Sequence, residues 1–197
     1  MENTLNWNIQ IDEVCQKLNN KLNLFKKIKH YLNPHTRMLF YNAYVLPIMD
    51  YCCYIWGKDN KTYVNKVNKI QSRIGKIMMN IPFKDNSVSI FAELQILTFN
   101  NRCKYHTAVL VYKIVNNMSP SYLKVSVSNN MSYNLRSKSH KDIIVLYRPK
   151  TKYFKDTFQH YSMTIWNSIP LLIRNTTNLN SFKNNYKRYL LQGESVD

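Results

Sequence analysis

Glycine is nearly missing from this chain: 3 of its 197 residues. That excludes Gly-rich phosphate loops, tight β-hairpins built on primed turns, and collagen-like repeats. Acidic residues are also scarce, 11 Asp+Glu against 28 Lys+Arg. Two-metal nucleotidyl transfer gathers several carboxylates around the reacting phosphate. The adjacent acidic pair, Asp12-Glu13, sits where a helix is expected to start, and the positive end of the helix dipole accounts for it. The sequence contains no HExxH helix and no GxSxG elbow. No catalytic residues are therefore expected.

Cysteine is limited to Cys15, Cys52, Cys53 and Cys103, with no CxxC pair, so reduced and partly buried thiols are expected. Cys103-x-x-His106 has helical spacing, and Cys52-Cys53 are conceivable partners, but tetrahedral zinc sites are usually built from two paired ligand clusters. Neither a metal nor a cofactor is expected. Long apolar runs are missing too. The most apolar stretch, Tyr41 to Trp56, is interrupted by Pro47 and Asp50, whereas a membrane span needs about 20 largely apolar residues. The opening Met1-Glu2-Asn3-Thr4-Leu5-Asn6-Trp7 lacks the basic-then-apolar layout of a secretory signal. An intracellular location, in nucleus or cytoplasm and off the membrane, is the expectation.

What is present is apolar mass and positive charge. Hydrophobic residues make up 45% and aromatics 13% of the chain, far too much for a disordered basic tail. Val14, Leu18, Leu22, Phe25, Ile28 and Leu32 form one face of an amphipathic helix from about Asp12 to Leu32. Asn33-Pro34 marks the cap and first residue of a second helix, with Leu39, Phe40, Ala43 and Tyr44 inward, a break at Pro47 and a stop at Gly57. A third runs from about Thr62 to Asn80 on Val67, Ile70, Ile74 and Ile77. A short helix capped by Asn86 or Ser87 and a longer one, Phe99 to Asn117, follow, with a turn at Pro120 to Leu123. Ile143 to Tyr147 has strand composition, and helices are expected at Phe158 to Trp166 and Ser181 to Leu191, the last around Phe182, Tyr186 and Leu190.

The expected fold is mainly α: a helical bundle over 1–125, a linker or mobile loop over 126–142, a small α-rich segment over 143–192 with one or two short strands near 143–153, and a tail over 193–197.

The formal charge is +17, and it is spread along the chain: residues 1–133 hold 17 basic and 7 acidic groups, residues 134–192 hold 11 and 2. Such a charge on a globular chain points to a polyanionic partner. On the third helix Lys66, Lys69, Arg73 and Lys76 each stand one residue before a member of the apolar stripe, forming a ridge that can follow a phosphate backbone. Lys17 and Lys21 belong to a looser cluster on the first helix. A solvated helix face gives the same periodicity. The tyrosines could stack on bases, but most fall on apolar faces and are expected in the core, as are Trp7, Trp56 and Trp166.

Several segments resemble, in order, the C-terminal part of non-LTR (LINE-type, jockey-like) retrotransposon reverse transcriptases. Leu5 to Ile11 is similar to the thumb entry L-x-W-x-x-H-I, with Gln10 in the place of His. LFYNAYVLPIMDYCCYIWG, Leu39 to Gly57, is similar to L-Y-x-A-x-x-x-P-x-x-x-Y-x-x-x-x-W-G, and Ile70-Gln71-Ser72-Arg73 to L-Q-x-R. LQILT at Leu94, YKIVNNMSP at Tyr112, Leu135-Arg136-Ser137, IWNSIP at Ile165 and Ser181-Phe182-Lys183 complete the series. In that family the catalytic palm, with its Tyr-x-Asp-Asp carboxylates, lies upstream.

The resemblance implies a thumb plus post-polymerase segment of an RNA-directed DNA polymerase, without a catalytic centre of its own. It further implies that the lysine and arginine ridges contact a primer–template backbone of RNA or DNA beside a palm domain. With about six phosphates neutralised, log K falls with log salt at a slope of roughly −4 to −5.5. The alternatives are a structural or protein-interaction module, and a functionless relic of a truncated element. Surfaces that pack on a palm are expected to be exposed at Tyr51 to Trp56 and to promote self-association.

Overall fold

The computed structural model describes residues 7–57, 61–82, 90–123, 151, 154 and 157–193, with the side chains of 61–63 excepted. Of these residues 79% are helical and none lies in a strand, so the protein is mainly α. The expected linker over 126–142, the strand at Ile143 to Tyr147 and the caps Asn86 and Ser87 lie outside the described residues.

Helix α1 spans Asn8–Ile28 and passes into a 3₁₀ turn, Lys29–Tyr31. It starts earlier than its acidic pair suggests because Ile11 N–H already donates to Trp7 C=O at 2.9 Å and Ile11 is buried. Val14, Leu18, Leu22 and Phe25 are buried as the spacing predicts, whereas Ile28 and Leu32 lie only at the margin of the core. Asn33 caps α2 (Pro34–Phe40): its Oδ1 accepts from Thr36 N–H at 2.8 Å, and Pro34 supplies the pre-set φ of the first turn.

The inward face after α2 differs from the expectation. A π turn, Tyr41–Val45, is inserted before α3 (Leu46–Asp50), so Phe40, Tyr41, Val45 and Met49 point into the core while Leu39, Ala43 and Tyr44 are exposed. The physical reason is Pro47. It has no N–H to donate back to Ala43, and the wider turn, closed by Leu46 N–H on Tyr41 C=O, takes up the mismatch and rotates the buried face.

The chain then forms α4 (Cys53–Trp56), α5 (Lys61–Met79), α6 (Ile90–Glu93) and α7 (Phe99–Val115). Trp56 is buried, stacks on Phe99 at 5.1 Å and donates its indole N–H to Tyr51 C=O at 2.8 Å. Only Tyr51 of the Tyr51 to Trp56 segment projects fully into solvent, so the exposed patch expected there is reduced to one ring; helix α4 turns the rest inward or leaves it half-buried. A turn follows α7, with Leu123 N–H on Pro120 C=O at 3.0 Å. Beyond it lie α8 (Phe158–Ser168), capped by Thr157, α9 (Leu171–Arg174) and α10 (Leu179–Gly193).

The chain divides into two compact units. One comprises Met1–Cys103 with Tyr189–Asp197, the other Lys104–Arg188. In the first unit α1 lies along α5, and their stripes meet α2, the π turn and α3 in one core. In the second, Tyr112 stacks on Phe182 at 4.4 Å and donates to Thr176 C=O at 2.6 Å, with Trp166 and Tyr186 against the same phenylalanine. Among the described residues no helix is long and apolar enough to cross a membrane.

Candidate nucleic-acid interface

Helix α5 carries the basic side chains because its two faces are chemically distinct. Val64, Val67, Ile70, Ile74 and Ile77 are buried, and Asn65, Lys66, Lys69 and Arg73 are exposed. The helix ends in a Schellman turn. Asn80 adopts φ 59°, its N–H reaches Ile77 C=O at 3.1 Å, and Ile81 N–H reaches Lys76 C=O at 2.9 Å.

A cavity of about 410 Å³ lies on this helix, lined by Asn65, Asn68, Lys69, Ser72, Arg73 and Lys76. These positions follow the i, i+3, i+4, i+7 rule of a single helix face. The four expected ridge residues do not behave alike. Lys69 and Arg73 are exposed along the cavity. Lys76 also lines it but is only 7% exposed. The reason is that the last turn, Ile74 to Met78, is buried all round, with Ile90 of α6 packed over Gly75 and Arg37 of α2 donating to Met78 C=O.

Lys66 leaves the ridge. Its ammonium pairs with Asp12 of α1 at 3.0 Å, and it is not among the cavity's lining residues. At about 100° per residue, Lys66 stands about 60° from Lys69, on the side turned to α1, while Asn65 stands about 40° away on the other.

The α1 cluster also separates. Lys17 is exposed, and Lys21 is half-buried with its ammonium 5.5 Å from the Tyr44 ring centroid, in cation–π range. The tyrosines are less buried than their positions suggest. Tyr41, Tyr112 and Tyr186 are in the cores, whereas Tyr31, Tyr44, Tyr51, Tyr122 and Tyr189 are exposed. Trp56 and Trp166 are buried anchors, and Trp7 is partly buried against the core.

Three cavity residues, Asn65, Asn68 and Ser72, were not singled out by charge. Their signal in the sequence is the polar stripe at steps of three and four directly beside the cations. The described lining thus combines two ammonium groups, one guanidinium, two carboxamides and one hydroxyl, with no carboxylate among them. Such a set attracts and donates to phosphate oxygens.

Other polar groups near α5 are structural. Gln71 is fully buried and donates to Tyr41 Oη at 2.8 Å and to Leu97 C=O at 2.9 Å. Burial pushes the Tyr41 phenol up to about 12. Arg102 grips Asp50 through both carboxylate oxygens, Nε–Oδ1 at 2.6 Å and Nη2 on Oδ2. All four cysteines are free thiols; Cys15, Cys53 and Cys103 are buried and Cys52 partly so. Burial raises the Cys15 thiol, and a hydrogen bond with Cys53 together with burial raises that of Cys103 well above its ordinary value, which suppresses thiolate chemistry.

Compared with protein-family models, curated proteins and solved structures, the chain matches none of them.

Proposed function

We propose that this chain is a non-catalytic module that holds the sugar-phosphate backbone of RNA or DNA without reading its sequence, derived from the thumb and post-polymerase region of a non-LTR retrotransposon reverse transcriptase. The observation that carries the binding reading is the α5 cavity, where Lys69 and Arg73 are exposed side by side, next to amide and hydroxyl groups. Contacts of this kind position a strand and carry no base information. The family reading rests on the ordered motifs of the sequence, and the partner it implies is a palm domain joined upstream.

The test is the salt dependence of binding to a labelled oligonucleotide. Lys69→Gln with Arg73→Gln is expected to make the slope of log K against log salt shallower by roughly 1.4 on single strands or 1.8 on duplex. Lys66→Gln is expected to change it less, because that ammonium is already paired with Asp12. A slope unchanged by the double variant overturns the reading. Salt-insensitive, stoichiometric association with a protein would favour an interaction module instead.

A further inference from the structure

In the first unit a row of aromatic rings leaves the core and ends in solvent beside a cation. Phe25 of α1 is buried and stacks on Phe40 of α2 at 4.6 Å. Phe40 in turn packs on Tyr44 of the π turn at 5.0 Å, tilted by 36°. Phe40 is only 8% exposed whereas Tyr44 is 52% exposed, so the last ring is held on its inner side and open on its outer side. The Lys21 ammonium lies 5.5 Å from the centroid of that ring, and Lys17 stands exposed one helical turn before Lys21. Tyr31, Tyr51 and Tyr122 are more exposed, but Tyr44 has both a ring beneath it and a cation beside it.

A ring fixed from below is pre-organised, so a second flat ring stacks on it with little further loss of side-chain freedom. Every nucleobase has a π-face, and stacking on an aromatic side chain does not depend on which base is present. Inside a duplex those faces are covered by the neighbouring base pairs; in a single strand they are open. The four-carbon stem of lysine is flexible, so the Lys21 ammonium can turn from the Tyr44 ring to a phosphate, exchanging a cation–π contact for an ion pair.

We propose that Tyr44 is a stacking platform for an unpaired base of a single strand, with Lys21 the partner of a phosphate next to that base. The proposal rests on the backbone-binding reading above and adds to it a second contact, between α1 and the π turn, and the class of nucleic acid that fits it.

The test compares two labelled single strands of equal length on the full chain: oligothymidine, and an abasic strand with the same number of phosphates. The unmodified protein is expected to bind oligothymidine about tenfold more tightly, the scale of one stacked base. Tyr44→Ala is expected to erase that preference and Tyr44→Phe to keep it, with helicity checked by circular dichroism. Lys21→Gln is expected to make the salt slope shallower by roughly 0.7. Equal affinity of the unmodified protein for the two strands overturns the proposal whether or not any variant folds. So does a Tyr44→Ala chain of unchanged helicity that keeps the full preference. Either result leaves backbone binding standing if the Lys69/Arg73 pair still sets the salt slope. A slope indifferent to that pair removes both.

Discussion

At the scale of single residues, a chain with so little glycine must end its helices in another way. Asn80, Gln95 and Asn117 all take left-handed backbone angles, φ 59°, 53° and 55°, and each closes a Schellman turn. Asn tolerates this conformation, and the sequence holds 26 of them. Gln95 is the poorer choice. Gln95→Gly is expected to stabilise the fold by about 0.5–1 kcal/mol, less whatever its side-chain bond to Ala92 C=O contributes, as read from urea unfolding.

Tyr41 makes a second residue-scale prediction. Its phenol titrates at about 12 when folded against about 10 when unfolded, so the fold favours the protonated form. That stabilisation is intact below pH 10 and is lost as pH rises from 10 to 12. Urea titrations across that window are expected to show a steep decline that Tyr41→Phe makes shallower.

At the scale of elements, two ion pairs of similar chemistry have different weight. Lys66–Asp12 joins α5 to α1 with side chains 48% and 60% exposed, where solvent screens the attraction. Arg102–Asp50 joins α7 to α3 with side chains only 14% and 23% exposed and in two-pronged geometry. Lys66→Ala is expected to change unfolding free energy by less than about 1 kcal/mol. Arg102→Met, which strands a partly buried carboxylate, is expected to destabilise by about 2 kcal/mol or more. Thermal or denaturant melts of the two variants separate these cases. Arg37 works between elements too, donating to Leu32 C=O, Lys29 C=O and Met78 C=O, so that one guanidinium serves the carbonyl ends of α1's trailing turn and of α5.

At the scale of the whole molecule, +17 on 197 residues makes the folded chain repel itself. Added salt screens that repulsion within a Debye length of about 10 Å at 0.1 M. The melting temperature is therefore expected to rise by a few degrees between about 20 and 200 mM salt, the opposite of what a fold held by surface ion pairs would do. A scanning calorimetry series decides it; a fall with salt would mean that pairs such as Lys66–Asp12 outweigh the net repulsion.

The sequence by itself determined the helices. Stripes at Val14 to Phe25 and at Val67 to Ile77, the Asn33-Pro34 cap and the Phe182/Tyr186/Leu190 face are local patterns, set by a period of 3.6 residues and by cap chemistry. They need no knowledge of neighbours, and each is buried or bonded in that way. Tertiary structure alone decided which cations share a surface. Periodicity gives Lys66, Lys69, Arg73 and Lys76 as equals, but it cannot tell that α1 offers Asp12 to the first or that neighbouring elements enclose the turn holding the last. Nor can it reveal that a π turn before Pro47 turns Tyr41 inward and Tyr44 out. A side chain's direction follows from its own helix. Its burial and its partner depend on what packs against that helix from far away in the sequence.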